Sequence, residues 1–128
     1  MLTRNIALTL TVASLGLPAA AAQAKHGGDA GKRVAGSCTG SSSAKLKVKP
    51  DNGRLETEFE VDQNRNGVAW AVQLRRDGKL VVNTNATTKA PSGSFSVQRR
   101  LANPAGSDRI AARATSPSGE VCTAGLTI

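Results

Sequence analysis

The segment Asp62-Gln63-Asn64-Arg65-Asn66-Gly67 carries the residue types closest to a known chemical site. It matches the first half of a calcium-binding loop, in which side-chain oxygens at alternating positions surround the ion. Such a loop also needs a bidentate Glu at its twelfth position, and Gln73 occupies that position here. Arg65 adds a positive charge inside the loop. We therefore predict an ordinary loop between two strands and no metal site.

Groups for nucleophilic or acid–base catalysis are scarce in this chain. The one histidine, His26, lies in a Gly-rich segment near the N-terminus. A serine nucleophile needs a base held within hydrogen-bond reach, and a histidine metal cluster needs several imidazoles. We predict a protein that is not an enzyme and that uses no cofactor.

Residues 1–24 have the pattern of a secretory signal peptide. Arg4 gives a short basic region, Ile6 to Leu17 form an apolar run of 12 residues, and Ala22-Gln23-Ala24 is a cleavage box. We expect cleavage after Ala24, with cleavage after Ala22 as the alternative. The run is shorter than the roughly 20 residues that span a bilayer, so we expect no transmembrane segment. The pattern predicts a secreted, extracellular protein.

The two cysteines, Cys38 and Cys122, lie far apart in the sequence. In the oxidising compartment that export implies, such a pair is expected to form a disulfide. Removal of the leader would leave roughly 100 residues, enough for one modest core. Residues 25–37 are Gly-rich, charged and short of large apolar groups. We therefore predict a flexible arm over 25–37 and one domain over 38–128.

From Ala44 onward, apolar and polar residues alternate and turn signals recur about every ten residues, which predicts an all-β fold. The first hairpin turns at Asn52-Gly53, the strongest short hairpin signal. With this pair at the tip, one face becomes apolar and the other a ladder of opposite charges. The predicted charge pairs are Lys45 with Glu60, Lys47 with Glu58, and Lys49 with Glu56.

A second hairpin is predicted around Arg76-Asp77-Gly78, which suits a three-residue loop with glycine in the left-handed conformation. This loop places Leu74 opposite Leu80 and Val72 opposite Val82. It also places Arg75 opposite Lys79, a pair of like charges. A two-residue Asp77-Gly78 turn would instead set Val72 against Asn83, so we prefer the longer loop.

Three further strands follow, over 93–101, 108–115 and 120–128. Inward parity along all the strands predicts the main core residues. They are Leu46, Val48, Phe59, Trp70, Val72, Leu74, Phe95, Val97, Ile110 and Leu126.

These seven strands, with a single Trp on the third, resemble an immunoglobulin-like or fibronectin-III-like sandwich. The resemblance covers Ala44 to Ile128 and rests on strand count, spacing and the Trp70…Leu74…Asp77-Gly78 segment. It implies a core position for Trp70, and one sheet made of the third, fourth, sixth and seventh strands. The chain is also similar to small exported bacterial proteins. Neither resemblance names an activity, since this fold carries many.

The chain has 17 Lys and Arg against 9 Asp and Glu, a net charge of +8. The first hairpin is nearly neutral, so the excess lies elsewhere. The resemblance places Arg75, Lys79, Arg109 and Arg113 on the outer face of the second sheet, among small residues. We favour a solvated basic face that aids solubility. The alternative is an anion-binding face at these four residues, for a cell-wall polyphosphate, an acidic lipid or another polyanion.

The sequence therefore predicts a secreted, monomeric, non-enzymatic module for binding or structure, and does not identify its partner. Electrostatic binding of an anionic polymer or surface is one alternative. A small-ligand carrier is another, and a secreted enzyme inhibitor that makes its contacts through the Ala86 to Ser94 loop is a third. The sequence leaves these alternatives open.

Overall fold

The computed structural model describes residues 31–128, which form two antiparallel β-sheets. The predicted signal peptide and the first residues of the predicted arm lie outside this range. Nine strands are present in the described residues. They are β1 (Lys32–Ala35), β2 (Ser37–Cys38), β3 (Ser43–Asp51), β4 (Arg54–Asp62), β5 (Ala69–Arg76), β6 (Lys79–Thr87), β7 (Ser94–Ala102), β8 (Arg109–Thr115) and β9 (Val121–Thr127).

The strands form a four-stranded sheet in the order β1-β3-β4-β7 and a five-stranded sheet in the order β2-β9-β8-β5-β6. The seven predicted strands are β3 to β9. The four that were expected to share a sheet, β5, β6, β8 and β9, do so.

The predicted strand count was wrong, because β1 and the first residue of β2 lie in the segment predicted to be a flexible arm. β1 pairs with β3, and β2 pairs with β9. The edges of β3 and β9 supply backbone partners that the local sequence does not reveal. Gly36 carries the chain from one sheet to the other, and its N–H donates to the Ala44 carbonyl at 2.7 Å. A Cβ at Gly36 would stand 2.6 Å from the Thr123 carbonyl oxygen, so only glycine fits this crossing.

The β3–β4 hairpin has the predicted register, which is confirmed from Ser43↔Asp62 to Asp51↔Arg54. Asn52 and Gly53 both have positive φ, at 50° and 73°, as a type I′ turn requires. Ion pairing on the outer face differs in part from the predicted ladder. Lys45 contacts Glu60 at 3.5 Å, while Glu58 accepts a hydrogen bond from the Gln98 amide at 2.9 Å.

The predicted register of the β5–β6 hairpin was wrong. Asp77 and Gly78 form a two-residue turn, both with positive φ, at 51° and 81°. The register then shifts between Leu74 and Arg75, so Arg75 lies opposite Leu80 whereas Leu74 lies opposite Val82. This bulge keeps Val82 buried and turns Leu80 outward, where 40% of it is exposed. Sequence alternation alone does not reveal an extra residue within a strand.

The core lies between the two sheets, and Trp70 and Phe59 are its largest fully buried side chains. The Trp70 and Phe95 rings pack with centroids 6.0 Å apart. All ten residues predicted for the core are buried there, together with Leu55, Val61, Leu101 and several alanines. The sandwich interior is therefore filled by side chains from β3 to β9.

Candidate functional site

Three arginines lie on the outer face of the five-stranded sheet, and we call them the arginine triad: Arg75, Arg109 and Arg113. Arg109 and Arg113 project from β8, four residues apart, which places their Cα atoms about 13 Å from each other. Arg75, on the neighbouring strand β5, pairs with Ala111, midway between them. Inward residues of the same strands, Ile110 and Leu74, are buried, which fixes the triad on the solvent side.

The triad lines one groove of about 460 Å³, which we call the arginine groove. Small residues, Ala111 and Gly125, lie side by side on β8 and β9 between the arginines. The Arg109 guanidinium extends over Gly125, since a Cβ at that glycine would meet Nη2 at 2.5 Å. A shallow floor of small residues thus lies beside three cationic side chains.

Lys79 does not belong to this groove, contrary to the sequence-based expectation. It pairs with Arg76 and not with Arg75, because the turn between β5 and β6 has two residues, Asp77 and Gly78, and not the predicted three. Arg76 points toward the four-stranded sheet, where its Nη1 donates to the Ala102 carbonyl at 2.9 Å. The predicted like-charge pair of Arg75 and Lys79 is therefore absent from the described hairpin, and Lys79 lies outside the site.

The groove is positively charged, and the described residues that line it do not offset the charge of the arginines. The described residues that line it include neither Asp nor Glu. Within residues 31–128, the ion pairs join Lys45 to Glu60 and Arg100 to Asp51 and Glu56, all on the other sheet. The arginine triad is thus available to neutralise a ligand, and no acidic side chain of the groove has to be displaced first.

Two local contacts hold the triad's backbone and side chains in place. Asp77 Oδ1 accepts a hydrogen bond from the Arg109 backbone N–H at 2.8 Å, which ties the β5–β6 turn to the start of β8. The Arg75 guanidinium donates to the Gly78 carbonyl at 3.4 Å. The tight turn therefore positions two of the three arginines.

A row of polar side chains crosses the same face and was missed by the sequence reasoning. The register places Ser37, Thr123, Arg113, Gln73 and Asn83 next to each other on five adjacent strands. We call this the polar row; at about 4.8 Å per strand it spans about 19 Å. The outward parity of Gln73 and Thr123 could be read from the sequence, but their alignment depends on strand pairing.

The calcium-like segment behaves as the predicted loop. Asp62 Oδ1 accepts a hydrogen bond from the Asn64 backbone N–H at 3.0 Å. Gln63 Oε1 accepts one from Trp70 Nε1 at 3.0 Å, so its oxygen supports the buried indole. Thr88 binds the loop from the β6–β7 connection, accepting from the Val68 N–H and donating to the Arg65 carbonyl. These side-chain oxygens therefore form hydrogen bonds that stabilise the loop and its contacts with the core.

Comparison with known proteins identifies no relative: no protein-family model matches the chain, and no curated protein or solved structure matches it either. Two other observations bear on its surroundings. Cys38 and Cys122 form a disulfide, a bond typical of oxidising compartments. Among residues 31–128, no helix is long and apolar enough to cross a membrane.

Proposed function

We propose that this protein is a secreted, non-enzymatic, monomeric binding module that holds a polyanion in the arginine groove. The observation that carries the proposal is the convergence of Arg75, Arg109 and Arg113 on one groove whose described lining has no acidic side chain. Guanidinium groups bind phosphate, sulfate and carboxylate oxygens through paired, charge-assisted hydrogen bonds. Three of them around a small-residue floor suit a ligand with repeated negative charges.

The fold class proposed for this module is the immunoglobulin-like or fibronectin-III-like sandwich. Two features support it: the division of the strands between the two sheets, and the buried Trp70 on the first strand of the second hairpin. The disulfide and the leader pattern of residues 1–24 support secretion. The added strands β1 and β2 extend one edge of each sheet.

A binding role is favoured over catalysis because the three neighbouring carboxylates of β4 have cross-strand partners. Glu56, Glu58 and Glu60 lie opposite lysines in the β3–β4 register. The carrier interpretation gains no support, because packed side chains around Trp70 fill the space between the sheets.

The test is the salt dependence of binding to long-chain inorganic polyphosphate. Charge neutralisation releases counterions, so the logarithm of the affinity should fall linearly with the logarithm of salt concentration. Arg75→Ala and Arg113→Ala should each weaken binding and flatten this slope. Lys47→Ala removes the same charge from the four-stranded sheet and should change the slope little. Equal losses in all three variants would mean that only net charge acts, and the proposed site would be wrong.

A further inference from the structure

We propose that the ligand of the arginine groove is an acidic polysaccharide, a chain of sugar rings that carry sulfate or carboxylate groups. This inference rests on the proposed function and narrows it to one ligand class. The feature that carries it is the polar row, which adds neutral hydrogen-bonding groups to the cationic ones.

The polar row and the arginine triad belong to the same groove. Arg113 is a member of both, and Ser37, Thr123 and Gln73 line the groove beside it. Thr123 and Gln73 lie on either side of Arg113, as its cross-strand neighbours on β9 and β5. A ligand held by the triad therefore lies within reach of a hydroxyl group and a carboxamide.

The chemistry of these neutral groups distinguishes the ligand classes. A hydroxyl and a carboxamide each offer both a donor and an acceptor. A phosphate chain offers only acceptors, so the Gln73 amide oxygen would gain no partner from it. Sugar hydroxyls both donate and accept, so they can pair with the Thr123 hydroxyl in either direction and with both the oxygen and the nitrogen of the Gln73 amide. The charged substituents of the same sugar chain would meet the guanidinium groups.

The floor of the groove fits the same ligand. Ala111 keeps the surface low between the arginines, so that a ring can approach the sheet there, beside the Arg109 guanidinium that covers Gly125. The Ala111 methyl gives a small apolar contact for the C–H groups of a sugar ring. The row extends across all five strands, which suits an extended oligosaccharide lying across them.

The experiment uses a double variant that removes the neutral groups and keeps every charge, Thr123→Val with Gln73→Leu. Its matched control is Thr87→Val with Asn85→Leu, which removes one hydroxyl and one carboxamide from the same face outside the groove. Binding is measured at fixed salt with a heparin oligosaccharide, a polygalacturonate oligomer and a polyphosphate of similar charge. Sulfate and carboxylate as the anionic group are thereby compared directly.

We expect the Thr123→Val/Gln73→Leu variant to lose about tenfold in affinity for at least one of the two glycans, since two hydrogen bonds are lost. Its polyphosphate affinity should stay within about twofold of the wild type, and the control should bind all three probes normally. Parallel loss on glycan and polyphosphate, or no selective loss, would overturn the glycan assignment. So would a wild type that binds polyphosphate but neither glycan. In these cases the salt dependence of polyphosphate binding by the Arg75→Ala and Arg113→Ala variants still tests the proposed function independently.

Discussion

The guanidinium group of Arg109 lies against the backbone of Gly125 on the neighbouring strand. A Cβ at Gly125 would stand 2.5 Å from Arg109 Nη2 and 3.0 Å from Cζ. Arg109 pairs in register with Thr127, two residues further along β9, so its side chain leans toward the centre of the arginine groove. The absence of a side chain at position 125 thus determines where this positive charge lies.

Gly125→Val should therefore weaken polyphosphate binding about as much as Arg109→Ala does. The valine methyls would fill the floor of the groove and move the guanidinium away from it. Stability should hold or rise, because Gly125 has no positive φ and β-branched residues suit strands. Thermal unfolding and a binding titration check the two effects. Ala69→Val adds similar bulk to the same face outside the groove and should leave binding unchanged; equal losses in both variants would contradict this role of Gly125.

The charge ladder on the four-stranded sheet gives a second prediction. Lys45→Glu replaces the 3.5 Å ion pair with Glu60 by a like-charge contact, and its other neighbour, Ala35, offers no compensation. We expect a loss of about 0.5–1 kcal/mol in the free energy of unfolding, smaller at high salt.

Lys47→Glu is the matched comparison for that change. Position 47 lies between Arg33 and Glu58, so the new carboxylate gains one favourable neighbour as well as one unfavourable neighbour. The loss in free energy of unfolding that Lys47→Glu causes, measured by urea unfolding, should be smaller than the loss caused by Lys45→Glu. The reverse order, or a loss independent of salt, would contradict the proposed role of these neighbours.

The two hairpins show which part of the fold can be predicted from sequence. At Asn52-Gly53, the turn type, the apolar face and the charge ladder all favour one register, and the structure has it. At Asp77-Gly78, the turn and the apolar pattern conflict unless one residue bulges out. The bulge beside Leu74 resolves this conflict, since it lets a two-residue turn coexist with a buried Val82. A bulge depends on tertiary packing, so the local sequence does not specify it.

The candidate site was predictable only in its arginines. Outward parity and the expected sheet composition identified Arg75, Arg109 and Arg113, which line one groove. Lys79 was misplaced by the same register error that misplaced Leu80. The polar row depends on the pairing of β2 with β9, and β2 has two residues in a segment without a strand signal. Long-range pairing of this kind leaves no local pattern.

The hydrogen bond between Gln63 and the buried indole of Trp70 leads to a third prediction. Gln63→Leu removes the acceptor of this hydrogen bond. The N–H of the fully buried Trp70 indole then loses its partner. We expect a loss of about 1–3 kcal/mol in the free energy of unfolding, with a blue-shifted native fluorescence spectrum retained. Gln63→Glu keeps an acceptor and should cost less. Native emission typical of an exposed indole would show instead that Trp70 is not in the core.

The disulfide between Cys38 and Cys122 should contribute much of the stability of this small domain. It connects residues 84 positions apart, and it holds the two-residue strand β2 against β9. Cys38→Ser with Cys122→Ser should lower the free energy of unfolding by about 2–5 kcal/mol, chiefly because the unfolded chain gains freedom. Urea unfolding of this variant and of the wild type measures the difference.

The same corner provides a control that separates the covalent bond from local packing. Ser42 Oγ donates to Glu120 Oε1 at 2.8 Å, and Glu120 lies two residues before Cys122 in the chain. Ser42→Ala removes this hydrogen bond and should cost only about 1 kcal/mol. Unchanged stability in the double serine variant would mean that the strand pairing, and not the disulfide, holds β2 in place. A loss no larger than that of Ser42→Ala would contradict the prediction in the same way, since a closed loop of this length constrains the unfolded chain far more than one hydrogen bond does.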